Sequence, residues 1–225
     1  MSKQKSAFFC QECGYEAPKW LGKCPSCSSW NTFVEEIVAS GKQSISFSAD
    51  TRNAKPTLIN EIENLVENRM QLVDVELNRV LGGGLVKGAL VLIGGEPGIG
   101  KSTLMLQMAI QEPLNILYVS GEESEQQIRM RAERIGIKNN HCQLLTETNL
   151  VNILNHAKAL MPEMLIIDSI QTLFYSAIDS SPGSVSQVRE CAAQLLRFAK
   201  ETNVPVFLIG HITKDGSIAR PKVLE

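Results

Sequence analysis

From Val73 onward the chain alternates short apolar runs with amphipathic stretches, the pattern of strands buried in a sheet and helices laid over it. Five runs bounded by turn-forming residues predict strands: Ala89–Ile93, Ile116–Ser120, Cys142–Leu145, Met164–Asp168 and Val204–Ile209. The unbroken apolar character of Ala89-Leu90-Val91-Leu92-Ile93 predicts a strand covered on both faces, as in a parallel sheet. Between the runs the period lengthens to that of a helix. Leu104, Met105, Met108 and Ala109 predict one apolar face, and Ile128, Ala132 and Ile135 a second. Val188, Ala192, Leu195 and Phe198 predict a third, within a helix over about 185–201. Ser124 and Gln127 are spaced as a capping box that opens the second helix, the serine hydroxyl accepting from a helical N–H while the glutamine reaches back. Strand and helix in alternation predict a doubly wound, mainly parallel α/β sheet, whose ligands gather at strand C-termini.

Before that region the pattern changes. Four of the six cysteines fall in the first 27 residues as Cys10-x2-Cys13 and Cys24-x2-Cys27. Thiolates from two such knuckles can surround one zinc ion tetrahedrally with no further ligand. An iron–sulfur cluster or a redox dithiol pair would use the same residues. Tyr15, Trp20, Trp30 and Phe33 are expected to cover the metal, and so small a module has too little core to fold without its ion. The expected organisation is a four-cysteine zinc ribbon over 1–34, a polar linker over 35–68 with a short helix near 59–66, and the α/β core over 69–225. Cys142 and Cys191 stand apart and are expected to be core thiols.

Composition narrows the function classes. The 225 residues are 44% hydrophobic and 20% charged, enough for one good-sized core and a small appendage. A formal net charge of −2 excludes a protein that binds nucleic acid by being basic over its whole surface. There is no apolar stretch of membrane-spanning length and no secretory signal at Met1-Ser2-Lys3-Gln4-Lys5, so no membrane association and a cytoplasmic location are expected.

The chemistry concentrates at strand ends. Gly95-Glu96-Pro97-Gly98-Ile99-Gly100-Lys101-Ser102 is a complete phosphate-binding loop between a predicted strand and a predicted helix. Its glycines let successive N–H groups curl toward phosphates, Lys101 adds a mobile positive charge, and the Ser102 hydroxyl can ligate magnesium. The strand Met164–Asp168 ends in a carboxylate placed to serve as the second magnesium residue. Ile116–Ser120 leads into Gly121-Glu122-Glu123-Ser124, and hydrolysis needs a carboxylate that orients the attacking water. Glu122 or Glu123 can supply it, and spacing leaves that role even with the other one open to a strand-end glutamate, stabilising the N-terminus of the following helix. His211 ends a third strand and is placed to report on the γ-phosphate, although a lone histidine is more often a satisfied polar group.

Together these motifs resemble the RadA (Sms) family of bacterial DNA repair proteins, RecA-like ATPases with an N-terminal four-cysteine zinc finger. The resemblance runs over residues 7–225. It rests on Phe9-Cys10-Gln11-Glu12-Cys13-Gly14, Trp20-x-Gly22-x-Cys24-Pro25-x-Cys27, Leu81-Gly82-Gly83-Gly84-Leu85, the phosphate loop with Gly94 and Thr103, Val119-Ser120-Gly121-Glu122-Glu123-Ser124, and Gly210-His211. It implies zinc on Cys10, Cys13, Cys24 and Cys27, and ATP as substrate on residues 95 to 103, with magnesium on Ser102 and Asp168. Glu122 becomes the catalytic glutamate beside Lys101, and His211 the switch residue.

It further implies a hexameric ring that drives branch migration on single-stranded DNA in recombination, with a recombinase or a replicative helicase as protein partner. DNA contacts are expected from the loops at about 176–184 and 213–222, the second carrying Lys214, Arg220 and Lys222. The family continues with a Lys-Asn-Arg-Phe-Gly motif and a Lon-protease-like domain that this sequence does not contain, so it is expected to stop short of the family's full length. The competing expectation is a non-motor, ATP-dependent switch or adaptor that docks a partner through the ribbon. A metabolic kinase sharing the loop would leave the ribbon without a role.

Overall fold

The structure, a computed structural model, describes residues 5–12, 14–38, 58, 69–136, 140–178 and 180–211. Cys13, the helix expected near 59–66, and Lys214, Arg220 and Lys222 lie outside the described residues.

The N-terminal cysteines sit in a three-stranded antiparallel sheet of order β2-β1-β3, formed by β1 (Lys5–Cys10), β2 (Glu16–Ala17) and β3 (Phe33–Val38). The last strand runs past residue 34, where the ribbon was expected to end, because it pairs with β1 along its whole length from Cys10↔Phe33 to Lys5↔Val38. The small core holds Cys10, Ala17, Cys24 and Phe33. The expected aromatic cover forms only in part. Phe33 is buried and Tyr15 meets it edge-on at 6.5 Å, but Trp20 and Trp30 are 51% and 68% exposed. The Trp30 ring faces solvent with the Lys23 ammonium 5.6 Å from its centre. A ribbon this thin has no second layer to receive an indole.

The second unit is a five-stranded parallel sheet of order β4-β8-β7-β5-β6, made by β4 (Leu90–Gly95), β5 (Ile116–Ser120), β6 (Cys142–Thr146), β7 (Met164–Asp168) and β8 (Val206–His211). The predicted start of the last strand moves to Val206 because Pro205 has no N–H for the ladder. Alternating side chains divide between two layers. Leu117, Val119, Leu165, Ile167, Val206 and Leu208 meet α4 (Leu150–Leu160) and α5 (Val185–Thr202). Ile116, Tyr118, Met164, Ile166, Phe207 and Ile209 meet α2 (Lys101–Gln111) and α3 (Glu125–Ile135). A short α1 (Val75–Val80), capped by Asp74, precedes β4. Each strand of the middle three is buried along its length except at His211, the last residue of β8, as a doubly covered parallel sheet requires.

Two expectations fail here. β4 was expected to be covered on both faces, yet Leu90 to Ile93 are only half-buried, because among the described residues β4 is the sheet's edge. Leu104 was placed on the apolar face of its helix but is 40% exposed, while Met105, Leu106, Met108 and Ala109 carry the contact. Of the two expected core thiols, Cys191 is fully buried and Cys142 only partly so; burial pushes Cys191 up to about 12 and Cys142 up to about 11, which favours the protonated thiol in both.

Candidate functional site

The sheet register brings the chemistry to one end. Gly95 lies opposite His211, Asp168 opposite Ile209, and Ser120 opposite Asp168, so the ends of β4, β8, β7 and β5 stand abreast. The phosphate loop leaves β4 there and returns into α2. Gly98 and Gly100 have φ of 81° and 96°, and an added Cβ would meet nothing within 4 Å at either, so the demand for glycine is conformational. As a glycine, Gly100 cannot cap α2 with a side chain, whereas α3, α4 and α5 are capped by Ser124, Asn149 and Ser184. The first N–H groups of α2 are thereby left for an anion, helped by the positive end of the helix.

Lys101 is 7% exposed, and its ammonium donates to the carbonyls of Gly95 and Glu96 at 2.8 Å each. An ammonium has three hydrogens, so one remains for a phosphate oxygen. The Ser102 hydroxyl donates to Asp168 Oδ1 at 3.0 Å, and the Tyr118 phenol donates to Asp168 Oδ2 at 2.6 Å. Burial, then the charge of Asp168, pushes the Tyr118 phenol far above its ordinary value, so it stays a donor. A hydroxyl oxygen and a buried carboxylate at this separation are the hard donors that magnesium takes.

The two candidate glutamates part company. Glu123 pairs with the largely buried Arg131 of α3 at 2.7 Å. Glu122 turns the other way, where Oε1 accepts from the Ser169 hydroxyl at 2.5 Å and lies 3.3 Å from His211 Nε2. The peptide bond between Asp168 and Ser169 is cis. Asp168, Glu122, His211, Lys101 and Ser102 therefore occupy one end of the sheet, while Thr103 faces solvent on α2. Of the loop expected to face DNA at about 176–184, Ile178 and Ser180 are held by Gln187. Its amide donates to the carbonyls of Tyr175, Ile178 and Ser180 at 3.3, 3.1 and 3.0 Å.

Tyr118, Ser169 and Arg131 were not singled out from the sequence. A tyrosine inside an otherwise apolar strand was the available signal for the first, because a buried phenol needs a partner. No local pattern marks the other two.

In the ribbon, the sulfurs of Cys10, Cys24 and Cys27 lie within 4.8 Å of one another, and Cys10 Sγ is 3.6 Å from Cys27 Sγ and 3.1 Å from Thr32 Oγ1. Turn hydrogen bonds shape both knuckles, Gly14 N to Cys10 O at 2.8 Å and Ser28 N to Cys24 O at 2.9 Å. Three converging thiols fit a soft tetrahedral ion.

Comparison with known proteins agrees with both units. Residues 56–217 match a family described as AAA domain, and residues 8–35 one described as rubredoxin metal binding domain. The chain is 51% identical over 232 residues to the DNA repair protein RadA of Bacillus subtilis (strain 168) and 49% identical over 230 residues to that of Halalkalibacterium halodurans. Each alignment covers 100% of this chain and 50% of the relative, so the chain spans about half the length of the curated relatives it matches. Among solved structures, a KaiC-like protein from Pyrococcus horikoshii shares the fold at a TM-score of 0.56 and 21% identity, covering 69% of this chain and 75% of that one. No described helix is long and apolar enough to cross a membrane. With a RecA-like phosphate-loop core behind a cysteine ribbon, and similarity to RadA along its whole length, the chain belongs to the AAA domain family.

Proposed function

We propose that the chain is the ATP-hydrolysing part of a DNA repair motor that moves recombination intermediates by branch migration on single-stranded DNA. The carrying observation is the meeting of Lys101, the Ser102–Asp168 pair and Glu122 at one end of the sheet. The loop N–H groups and Lys101 bind and orient the phosphates of ATP. Ser102 and Asp168 would hold magnesium, which supplies neutralisation of phosphate charge when bound. Glu122 orients the attacking water and accepts its proton. His211 touches Glu122 and begins the segment carrying Lys214, Arg220 and Lys222, so the state of the carboxylate is linked to residues suited to DNA phosphates.

Cys10, Cys13, Cys24 and Cys27 would hold zinc and keep the ribbon folded, leaving the exposed Trp20 and Trp30 as its outward face toward a recombinase or helicase. A cytoplasmic hexamer, with ATP between subunits, completes the reading. ATP hydrolysis by the chain, with and without single-stranded DNA, tests it. Turnover should rise with DNA and fall by about 10²-fold or more in both Lys101→Ala and Glu122→Gln, the scale of a lost general base. Tight ATP binding with no turnover would sink the motor reading in favour of a nucleotide-driven switch.

A further inference from the structure

The carboxylate assigned to hydrolysis stands at a bend of the chain, and its side chain is 44% exposed. A glutamate so placed has several rotamers open to it, and only one aims at a water beside a phosphate. The turn after Asp168 supplies a restraint. Gly121 N donates to the Asp168 carbonyl at 2.9 Å, and a Cβ on Gly121 would run into the Thr172 hydroxyl. That hydroxyl in turn donates to the Ser169 carbonyl at 2.8 Å. The end of β5 is thus stitched to the turn at 168–172, with Gly121 on Asp168 and Glu122 on Ser169.

Ser169 is itself fully buried, and its hydroxyl makes a short, charge-assisted bond to Glu122 Oε1. His211 approaches the same oxygen, and among the described residues Oε2 has no hydrogen-bond partner. We propose that Ser169 is a positioning residue for Glu122: it holds Oε1 so that Oε2 is the oxygen presented to the attacking water. The adjacent pair Asp168 and Ser169 then fixes the two acidic groups relative to each other, one through its own carboxylate and the other through a hydroxyl. The inference rests on the ATPase reading above.

The test is turnover by the full chain as Ser169→Ala, Glu122→Gln and the double variant, in steady-state and single-turnover form, beside binding of a non-hydrolysable ATP analogue. Loss of a hydrogen bond to a charged group should lower kcat by about 10- to 100-fold in Ser169→Ala. Affinity for the analogue should stay within about twofold, since the Ser169 hydroxyl bonds to Glu122 and, among the described residues, makes no hydrogen bond to the phosphate loop. In the Glu122→Gln background, Ser169→Ala should add nothing, because Ser169 acts through that carboxylate. If the alanine variant does not fold, Ser169→Cys, of similar size with a weaker donor, carries the same comparison. Wild-type kcat in Ser169→Ala, or an equal loss in both backgrounds, overturns the inference and leaves the ATPase reading standing. A wild-type chain whose turnover is absent or indifferent to Lys101→Ala overturns both.

Discussion

Tyr118→Phe removes one oxygen from the centre of the molecule and leaves the ring that packs between α2 and α3. The ring is fully buried and Asp168 is 5% exposed, so water cannot easily replace the lost bond to Oδ2 at 2.6 Å. Asp168 keeps the Ser102 hydroxyl on its other oxygen at 3.0 Å, so the charge is left half-satisfied rather than bare. A hydrogen bond to a charged group contributes about 1.5–3 kcal/mol, against about 1 kcal/mol for a neutral pair. Tyr118→Phe should therefore lower unfolding stability by about 1.5–3 kcal/mol, well above the roughly 0.5 kcal/mol of a surface substitution. In an Asp168→Asn background, where the acceptor is neutral, the same change should cost about 1 kcal/mol. Urea unfolding followed by far-UV circular dichroism gives all four corners of this cycle. Because the phenol stays protonated across the accessible pH range, the effect should not vary between pH 6 and about 9. Stability within about 0.5 kcal/mol of wild type, or equal losses in both backgrounds, would refute the claim that Tyr118 supports the charge of Asp168.

Two further outcomes follow from the ribbon and from a buried acid. Chelation of the metal should strip hydrogen-exchange protection from residues 5–38 while the strands of the α/β unit keep theirs, and Cys24→Ser should do the same without a chelator; protection that survives metal removal would count against the ion holding the ribbon together. Tryptophan emission is the weaker readout, since Trp20 and Trp30 are already exposed. Glu112 is 1% exposed, its Oε1 accepts from Val73 N at 2.6 Å, and burial raises its carboxyl above the ordinary 4.5. An acid raised in the folded state contributes stability that is complete below its unfolded value and lost as pH rises through the folded one. Glu112→Gln keeps an acceptor for Val73 and removes the buried charge, so its Tm should match wild type near pH 4 and exceed it at pH 8; a Tm difference that does not grow with pH would dismiss the assignment.

How much of this was legible in the sequence depends on the distance over which each feature is decided. The five strands of the parallel sheet, the helix faces of α3 and α5 and the phosphate loop are decided within a dozen residues, and local periodicity and glycine placement reported them, whereas the ribbon strands β1, β2 and β3 carried no such signal. The half-burial of β4 was not legible, because an apolar run reports that a strand is meant to be covered and not which neighbours stand beside it. The contacts that complete the site are longer in range: Ser102 to Asp168, Tyr118 to Asp168 and Ser169 to Glu122 join residues 66, 50 and 47 positions apart. What converts them from distant letters into a site is the parallel register of β5 with β7, Tyr118 beside Ile166 and Ser120 beside Asp168. Strand side chains alternate faces, so that register puts Tyr118 and Asp168 on the side where α2 packs and Ser102 waits. A slip of one residue would turn Asp168 toward α4 and α5, bury its charge among Leu117, Val119 and Leu208, and carry Ser169 away from Glu122. The apolar residues of β7 and the polar pair that follows it are therefore one requirement, since the burial of Met164 and Ile166 on the α2 face is what holds the acid and the serine in place.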